Sequence, residues 1–145
     1  MSRRIAKKKA EEHISKWKRY QYSEIINGHP LSCGMAPLLE KEKVKHIDNA
    51  LFSDLPKDYQ KYVMEWISGL KETKVSVLST SSYGLKHVVE QNSYDEIGTR
   101  IYMTNNQFKD AMLLAGFEPT NPNALNWTYH ISKRSPSLHR ERYRV

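Results

Sequence analysis

The sequence contains very little cysteine and no long apolar run. Its one cysteine, Cys33, cannot form an internal disulfide, so nothing in the sequence favours an oxidising compartment. No stretch approaches the roughly 20 consecutive apolar residues of a membrane-spanning helix, and no apolar stretch of signal-peptide length follows the basic residues after Met1. We therefore expect a protein of the reducing cytoplasm.

Motifs that carry catalysis or hold a cofactor are also missing. The sequence has no Gly-rich phosphate-binding loop, no nucleophile elbow and no pair of His or Cys residues at metal-ligand spacing. Cys33 follows His29 by four residues, but the sequence suggests no third group that would orient such a pair. We expect a protein that is not an enzyme and that binds no cofactor or metal.

The positive charge of the chain is concentrated at its two ends. The net charge is +7, of which residues 1–22 carry +6, residues 23–130 carry −3 and residues 131–145 carry +4. Basic ends that flank an acidic body favour contact with a polyanion, although they could also be solubilising tails. The basic residues expected to contact nucleic acid are Lys7, Lys8, Lys16, Lys18, Arg19, Lys133, Arg134, Arg140, Arg142 and Arg144.

Apolar residues recur at helical spacing in the first half of the chain. The sequence predicts helices over residues 2–26, 38–51 and 56–67, with a loop over residues 29–37. Asn27-Gly28 is interpreted as the stop of the first helix, because Gly relieves the strain of a left-handed cap. Pro56 suits the first turn of the third helix, in which Trp66 is expected to be a core anchor.

The second half predicts shorter elements. They are strands near residues 75–78, 101–103 and 127–131, a helix over residues 83–91, a polar loop over residues 92–100, and a helix that follows Thr104. Thr104 and Gln107 fit a capping box, and Gly116 followed by Phe117 fits a Schellman-type end. The predicted fold class is α+β, mainly α. We expect a helical part over residues 1–72, a second part over residues 73–132 and a basic tail over residues 133–145.

Residues 81–134 carry a pattern typical of mobile genetic elements. It consists of SYGLKH at 82–87, YMTNNQFKDAM at 102–112, AGFEP at 115–119 and NPNALNW at 121–127. The pattern resembles a module in small, mostly uncharacterised proteins of Gram-positive phages, plasmids and conjugative elements. Its layout is similar to the winged-helix segments that accompany mobile-element primases. The resemblance implies a winged-helix-like second part and a bacterial host cytoplasm.

The winged-helix resemblance implies that the helix after Thr104 is a recognition helix. Its first turn would then be exposed and would offer Asn105, Asn106 and Lys109, since amides can pair with adenine and Lys can reach phosphate or guanine. A wing strand at residues 127–131 would place Lys133 and Arg134 near the nucleic-acid backbone. The alternative is that Asn105 and Gln107 are only helix caps.

Aromatic residues lie among the basic ones. Trp17, Tyr20 and Tyr22 lie among Lys and Arg, and Tyr129 and Tyr143 lie near the second basic cluster. Such sets suit base stacking, and they also suit protein interfaces. We therefore expect a nucleic-acid-binding accessory protein whose partner is DNA, RNA or a protein–nucleic-acid complex. The alternative is a small inhibitor of a host defence nuclease, of the anti-CRISPR or anti-restriction type.

Overall fold

The protein divides into two compact units. The computed structural model describes residues 50–143, the backbone of three strands between residues 20 and 47, and four helical positions at residues 8, 11, 12 and 14. The smaller unit is Lys18–Asn49, and the larger unit combines Met1–Trp17 with Ala50–Val145. The domain boundary predicted near residue 72 is wrong, because the helices on either side of it share one core.

The larger unit contains three α-helices in its described part, so the fold is mainly α, as predicted. They are α1 (Lys57–Ser68), α2 (Ser82–Ile97) and α3 (Asn105–Leu114). Trp66 of α1, Leu85 of α2 and Phe108 of α3 are fully buried in the same cluster, which Trp127 also joins. In the part of the chain that the structure describes, no helix has the length and apolarity needed to cross a membrane.

The ends of α1 and α3 follow local sequence signals. Pro56 occupies the N-cap position of α1, and the helix ends at Gly69, which confirms the third predicted helix. The capping box of α3 is confirmed, since Thr104 Oγ1 accepts from the amide of Gln107 at 3.1 Å and the Gln107 side chain accepts in return. The predicted Schellman end is also confirmed, because the amide of Phe117 donates to Met112 O at 2.9 Å.

Helix α2 is longer than the sequence predicts. The polar loop expected over residues 92–100 is wrong up to Ile97, because Glu90 and Ser93 are buried polar residues that break the apolar periodicity. The Ser93 hydroxyl accepts a hydrogen bond from the amide of Ile101 at 2.9 Å. The helix ends at Gly98, whose φ of 72° is left-handed and therefore suits glycine.

The strands predicted in the second half do not form. Across residues 50–143 the only strand-like pairing is an isolated bridge between Glu72 and Ile131. Residues 127–131 do alternate between buried and exposed, as in a strand. Their backbone groups bond to other segments instead, since Trp127 O accepts from the amide of Ser82 and Tyr129 O accepts from the amide of Leu78.

The smaller unit is a three-stranded antiparallel sheet in the order β2-β1-β3. Its strands are β1 (Tyr20–Ile26), β2 (His29–Pro30) and β3 (Lys41–Ile47). The helices predicted over residues 2–26 and 38–51 are therefore wrong at these strands, as is the loop at residues 29 and 30. Helical structure is present near the N-terminus only at the described positions from Lys8 to Ile14.

The segment predicted as a basic tail is part of the larger unit, and its residues 135–140 are buried or partly buried there. It forms a kinked 3₁₀ segment, Pro136–Tyr143, in which Ser137 is buried. The Ser137 hydroxyl donates to Trp66 O at 2.6 Å, and its amide donates to Gly69 O at 3.2 Å. A side chain at residue 69 would overlap the Ser137 hydroxyl, so this close approach depends on glycine.

Candidate nucleic-acid interface

The predicted recognition turn at the start of α3 is buried. Asn105, Asn106 and Lys109 are 6%, 0% and 1% exposed, so the expectation that they offer an exposed reading surface is wrong. Asn105 Oδ1 accepts from the Ser82 hydroxyl at 2.8 Å, and its amide nitrogen donates to Asn126 Oδ1 at 2.9 Å. The alternative, that Asn105 and Gln107 are only helix caps, is confirmed for Gln107, which completes the capping box, but it is wrong for Asn105, which bonds to Ser82 and Asn126.

Lys109 also has an interior position. Its Nζ lies 4.8 Å from the centroid of the buried Trp127 ring, a cation–π distance. The next residue, Asp110, is 1% exposed and accepts a hydrogen bond from the amide of Phe52 at 3.0 Å. The polar side of α3 therefore joins the helix to neighbouring segments.

The predicted basic contacts fall into three groups. Lys8, Lys133 and Arg134 are exposed. Arg140 is held in an ion pair, with its Nη1 2.9 Å from Glu96 Oε1. The remaining predicted contacts are Lys7, Lys16, Lys18, Arg19 and Arg144, which lie outside the described residues together with Cys33, and Arg142, which is described only as backbone.

An exposed stripe on α2 is the feature of the larger unit best suited to a partner. It consists of Tyr83, His87, Gln91 and Tyr94, at spacings that place them along one side of the helix. Tyr83 is 51% exposed and Tyr94 is 53% exposed. From a rise of 1.5 Å per residue the two tyrosines are about 16 Å apart along the helix axis. We call these four residues the α2 stripe.

Each tyrosine of the α2 stripe has a cation over its ring. Lys86 Nζ lies 5.3 Å from the centroid of Tyr83, and Arg100 Cζ lies 5.4 Å from that of Tyr94. About half of each tyrosine side chain still contacts solvent, so the rings can accept another stacking group. The Tyr94 end thus combines aromatic surface with the partly exposed Arg100, whereas Lys86 at the Tyr83 end is buried and paired with Glu90.

Buried and exposed acceptors hold these groups in place. The carboxylate of Glu90, a buried residue, accepts from Lys86 Nζ at 3.2 Å and lies 3.1 Å from His87 Nδ1, within ion-pair distance. Gln91 Oε1 accepts from Arg100 Nη2 at 3.1 Å. Because these bonds fix the rotamers in advance, a partner would meet a largely ordered surface.

The register of the smaller unit places basic and aromatic residues on the same face of its sheet. Residues that pair across antiparallel strands share a face, and successive residues of a strand alternate between faces. The register pairs Tyr20 with Ile47, Tyr22 with Lys45, Glu24 with Lys43 and Ile26 with Lys41. One face, which we call the lysine face, therefore holds Tyr20, Tyr22, Glu24, Ile26, Lys41, Lys43, Lys45 and Ile47. The opposite face holds Gln21, Ser23, Ile25, Glu42, Val44 and His46.

Comparisons with protein-family models, curated proteins and solved structures give no match to this chain. Within the described residues, no three His, Cys, Asp or Glu side chains come together as a metal-binding group. The interpretation of the site therefore rests on its geometry.

Proposed function

We propose that this protein is a non-catalytic nucleic-acid-binding accessory protein of a phage or other mobile element, acting in the cytoplasm of its bacterial host. The observation that carries the proposal is the α2 stripe, in which Tyr83 and Tyr94 are half exposed and each lies beside a cation. Single-strand binders combine aromatic platforms for bases with cations for the backbone. The proposed ligand is therefore single-stranded DNA or RNA.

Two further basic surfaces support this proposal. Lys133 and Arg134 are exposed and precede the 3₁₀ segment, which contacts α2 through the Arg140–Glu96 ion pair. The lysine face of the sheet repeats the combination of Lys and Tyr. Phosphate contacts by either set of cations would make binding of a strand strongly dependent on salt.

A winged-helix-like role for residues 73–132 is part of the same proposal, in an altered form. Helix α3 follows its Thr104 cap and packs on α2, as such a module requires. Because the first turn of α3 is buried, the outward surface would be that of α2. The extended segment at residues 127–131 would take the place of a wing strand.

The second candidate function is inhibition of a host defence nuclease, by binding its protein–nucleic-acid complex. Ile97 and Tyr102 are 53% and 73% exposed and could serve as apolar anchors for a protein partner. Tyr and Arg are enriched among the anchor residues of protein interfaces. In this case the protein would bind bare nucleic acid weakly and the complex tightly.

The test is binding of labelled single-stranded and duplex DNA and RNA by fluorescence anisotropy over a salt series. Tyr83→Ala and Tyr94→Ala are each expected to weaken single-strand binding about 5- to 150-fold, since one stacked base contributes about 1–3 kcal/mol. Tyr102→Ala is the matched control, because it removes an exposed tyrosine outside the stripe. The affinity of this variant for single strands should differ less than twofold from that of the wild type.

Two results would contradict the proposal. One is equal affinity of the stripe variants and the wild type, with thermal unfolding showing that all are folded. The other is negligible binding of every nucleic acid at physiological salt. The second result would leave the inhibitor function, which affinity capture with a nuclease–guide complex would then test.

A further inference from the structure

A cleft of about 530 Å³ lies between α2 and the C-terminal 3₁₀ segment. Its polar lining consists of His87, Gln91, Asn92, Ser137, His139 and Arg140. None of its lining residues is acidic, whereas two imidazoles and a guanidinium are present. His87 and Gln91 also belong to the α2 stripe, so the cleft and the stripe adjoin.

One nitrogen of each of the two imidazoles that line the cleft already faces an acceptor. His139 Nε2 lies 2.7 Å from Lys133 O, and because a carbonyl oxygen only accepts, this nitrogen carries the hydrogen. His87 Nδ1 lies 3.1 Å from a carboxylate oxygen of Glu90, which has no hydrogen to donate, so this nitrogen faces an acceptor. Each ring therefore keeps its second nitrogen, His87 Nε2 and His139 Nδ1, for a ligand, and protonation would turn either one into a donor.

Arg140 is oriented by groups on two elements. Its Nη1 donates to Glu96 Oε1 at 2.9 Å and its Nη2 donates to the Ser137 hydroxyl at 3.4 Å. Tyr62 Oη donates to the same Glu96 oxygen at 2.6 Å. A guanidinium has five N–H donors, and these two bonds use two of them. The remaining donors make an oriented anion-binding group.

We propose that this cleft binds a phosphate group of a nucleic-acid strand. The inference rests on the proposed function and deepens it, since the strand would stack on Tyr83 and Tyr94 and place one phosphate in the cleft. A phosphate oxygen can accept from Arg140 and from either protonated imidazole. A metal cation does not fit, because the guanidinium would repel it and no carboxylate lines the cleft.

Two carboxylates near the cleft are paired with neighbouring basic groups. Glu90 is buried and is paired with Lys86 and His87, and Glu96 is paired with Arg140. Lys133 and Arg134 are exposed in the same segment as His139. Because Glu96 pairs with Arg140 itself, the further positive charge that favours an anion here is that of Lys133 and Arg134.

The first experiment records the histidine ring resonances of the full chain by NMR during titration with inorganic phosphate and, separately, with glutamate. The resonances of His87 and His139 are expected to shift with phosphate, and those of His130 are not. His130 is the internal control because it is exposed and lies outside the cleft. Equal shifts with glutamate would overturn the assignment to phosphate.

The second experiment measures single-strand affinity. His139→Gln keeps a donor for Lys133 O but removes the imidazole, and Arg140→Gln removes the guanidinium. Each is expected to weaken binding about 5- to 30-fold, with His130→Gln unchanged. If Tyr83→Ala and Tyr94→Ala weaken binding while His139→Gln and Arg140→Gln do not, the cleft proposal fails and the proposed function stands. If phosphate shifts His87 and His139 but no strand binds, the proposed function fails and the phosphate site stands.

Discussion

Tyr129 is almost completely buried, and its hydroxyl has no hydrogen-bond partner among the described residues. Burial without a partner raises the pKa of Tyr129 above its ordinary value, because the charged phenolate would lose its solvation. A buried unpaired hydroxyl costs about 1–3 kcal/mol on the scale of protein mutational data. The hydroxyl of Tyr129 therefore offsets part of the stability that burial of its ring contributes to the core.

Tyr129→Phe removes the hydroxyl and keeps the ring. At pH 7 we expect an unchanged free energy of unfolding, or an increase of up to about 1 kcal/mol, in urea titrations. Above pH 10 the unfolded wild type loses the Tyr129 proton and the folded state keeps it, so wild-type stability falls by up to about 1.4 kcal/mol per pH unit. The stability of Tyr129→Phe should lack this fall above pH 10. Tyr102→Phe is the exposed control, and a loss above 1 kcal/mol at pH 7 would show that the hydroxyl is bonded.

Asn105 shows why the sequence alone misplaced the site. An Asn at the start of a helix can cap, read a base or join buried segments, and only its partners decide among these. The partners of Asn105 are Ser82 and Asn126, which are distant in sequence and have no motif that links them. The cap by Thr104 was predictable because all its partners lie within one turn.

The two faces of the sheet differ in charge although they come from the same strands. The lysine face holds three Lys and one Glu, whereas the opposite face holds one Glu and no Lys. Lys on an edge strand can also serve to prevent edge-to-edge aggregation. Nucleic-acid binding and protection against aggregation can be told apart, because only nucleic-acid binding depends on which face of the sheet carries the charge.

The lysine face can be tested with two variants of equal charge change. Lys43→Gln with Lys45→Gln lowers the net charge by two, and so does Gln21→Glu with His46→Glu, whose positions pair across the strands on the opposite face. We expect the first variant to bind single strands about tenfold more weakly at low salt and to lose about 1.4 from the salt slope. The variant with Gln21→Glu and His46→Glu should lose less single-strand affinity and less of the salt slope. Equal losses in the two variants would mean that total charge, and not the face, matters.

Helix α2 and the sheet show which elements the sequence could predict. The α2 stripe was readable in principle, since Tyr83, His87, Gln91 and Tyr94 recur at helical spacing and Gly98 is a stop signal. In the sheet, Asn27-Gly28 separates the paired residues Ile26 and His29, which is the sequence signal of a two-residue hairpin. Gly after Asn also suits a helix end, so this dipeptide alone does not distinguish a hairpin turn from the end of a helix.

At the scale of the whole molecule, the sheet unit is an insertion between two parts of the helical unit. Residues before 18 and after 49 belong to the same unit, and Ile14 packs against its core. No local pattern reveals such an arrangement, because it depends on contacts between distant segments. The mainly helical class was predictable from the periodicity of α1 and the caps of α3.

The packed C-terminal segment makes truncation a test of stability. A chain that ends at Ile131 loses the bond from Ser137 to Trp66 O, the bond from Lys71 N to Ser135 Oγ and the packing of Leu138. We expect its free energy of unfolding to fall by about 2–5 kcal/mol in urea, from about 1 kcal/mol per hydrogen bond plus apolar burial. An unchanged stability would contradict the packing.

A full-length variant separates charge from stability. Lys133→Gln with Arg134→Gln removes two exposed cations and keeps the segment. Its unfolding should match the wild type, whereas its nucleic-acid binding should become weaker and less dependent on salt.

The contact between Gly69 and Ser137 also limits how this protein can evolve. The two positions are far apart in sequence, yet an added methyl at residue 69 would occupy the place of the Ser137 hydroxyl. Replacement of Gly69 in a descendant therefore requires a smaller residue at position 137, and the Trp66 carbonyl then loses the Ser137 hydroxyl as a donor and keeps only the amide of residue 69. Substitutions at positions 69 and 137 should therefore covary among related sequences.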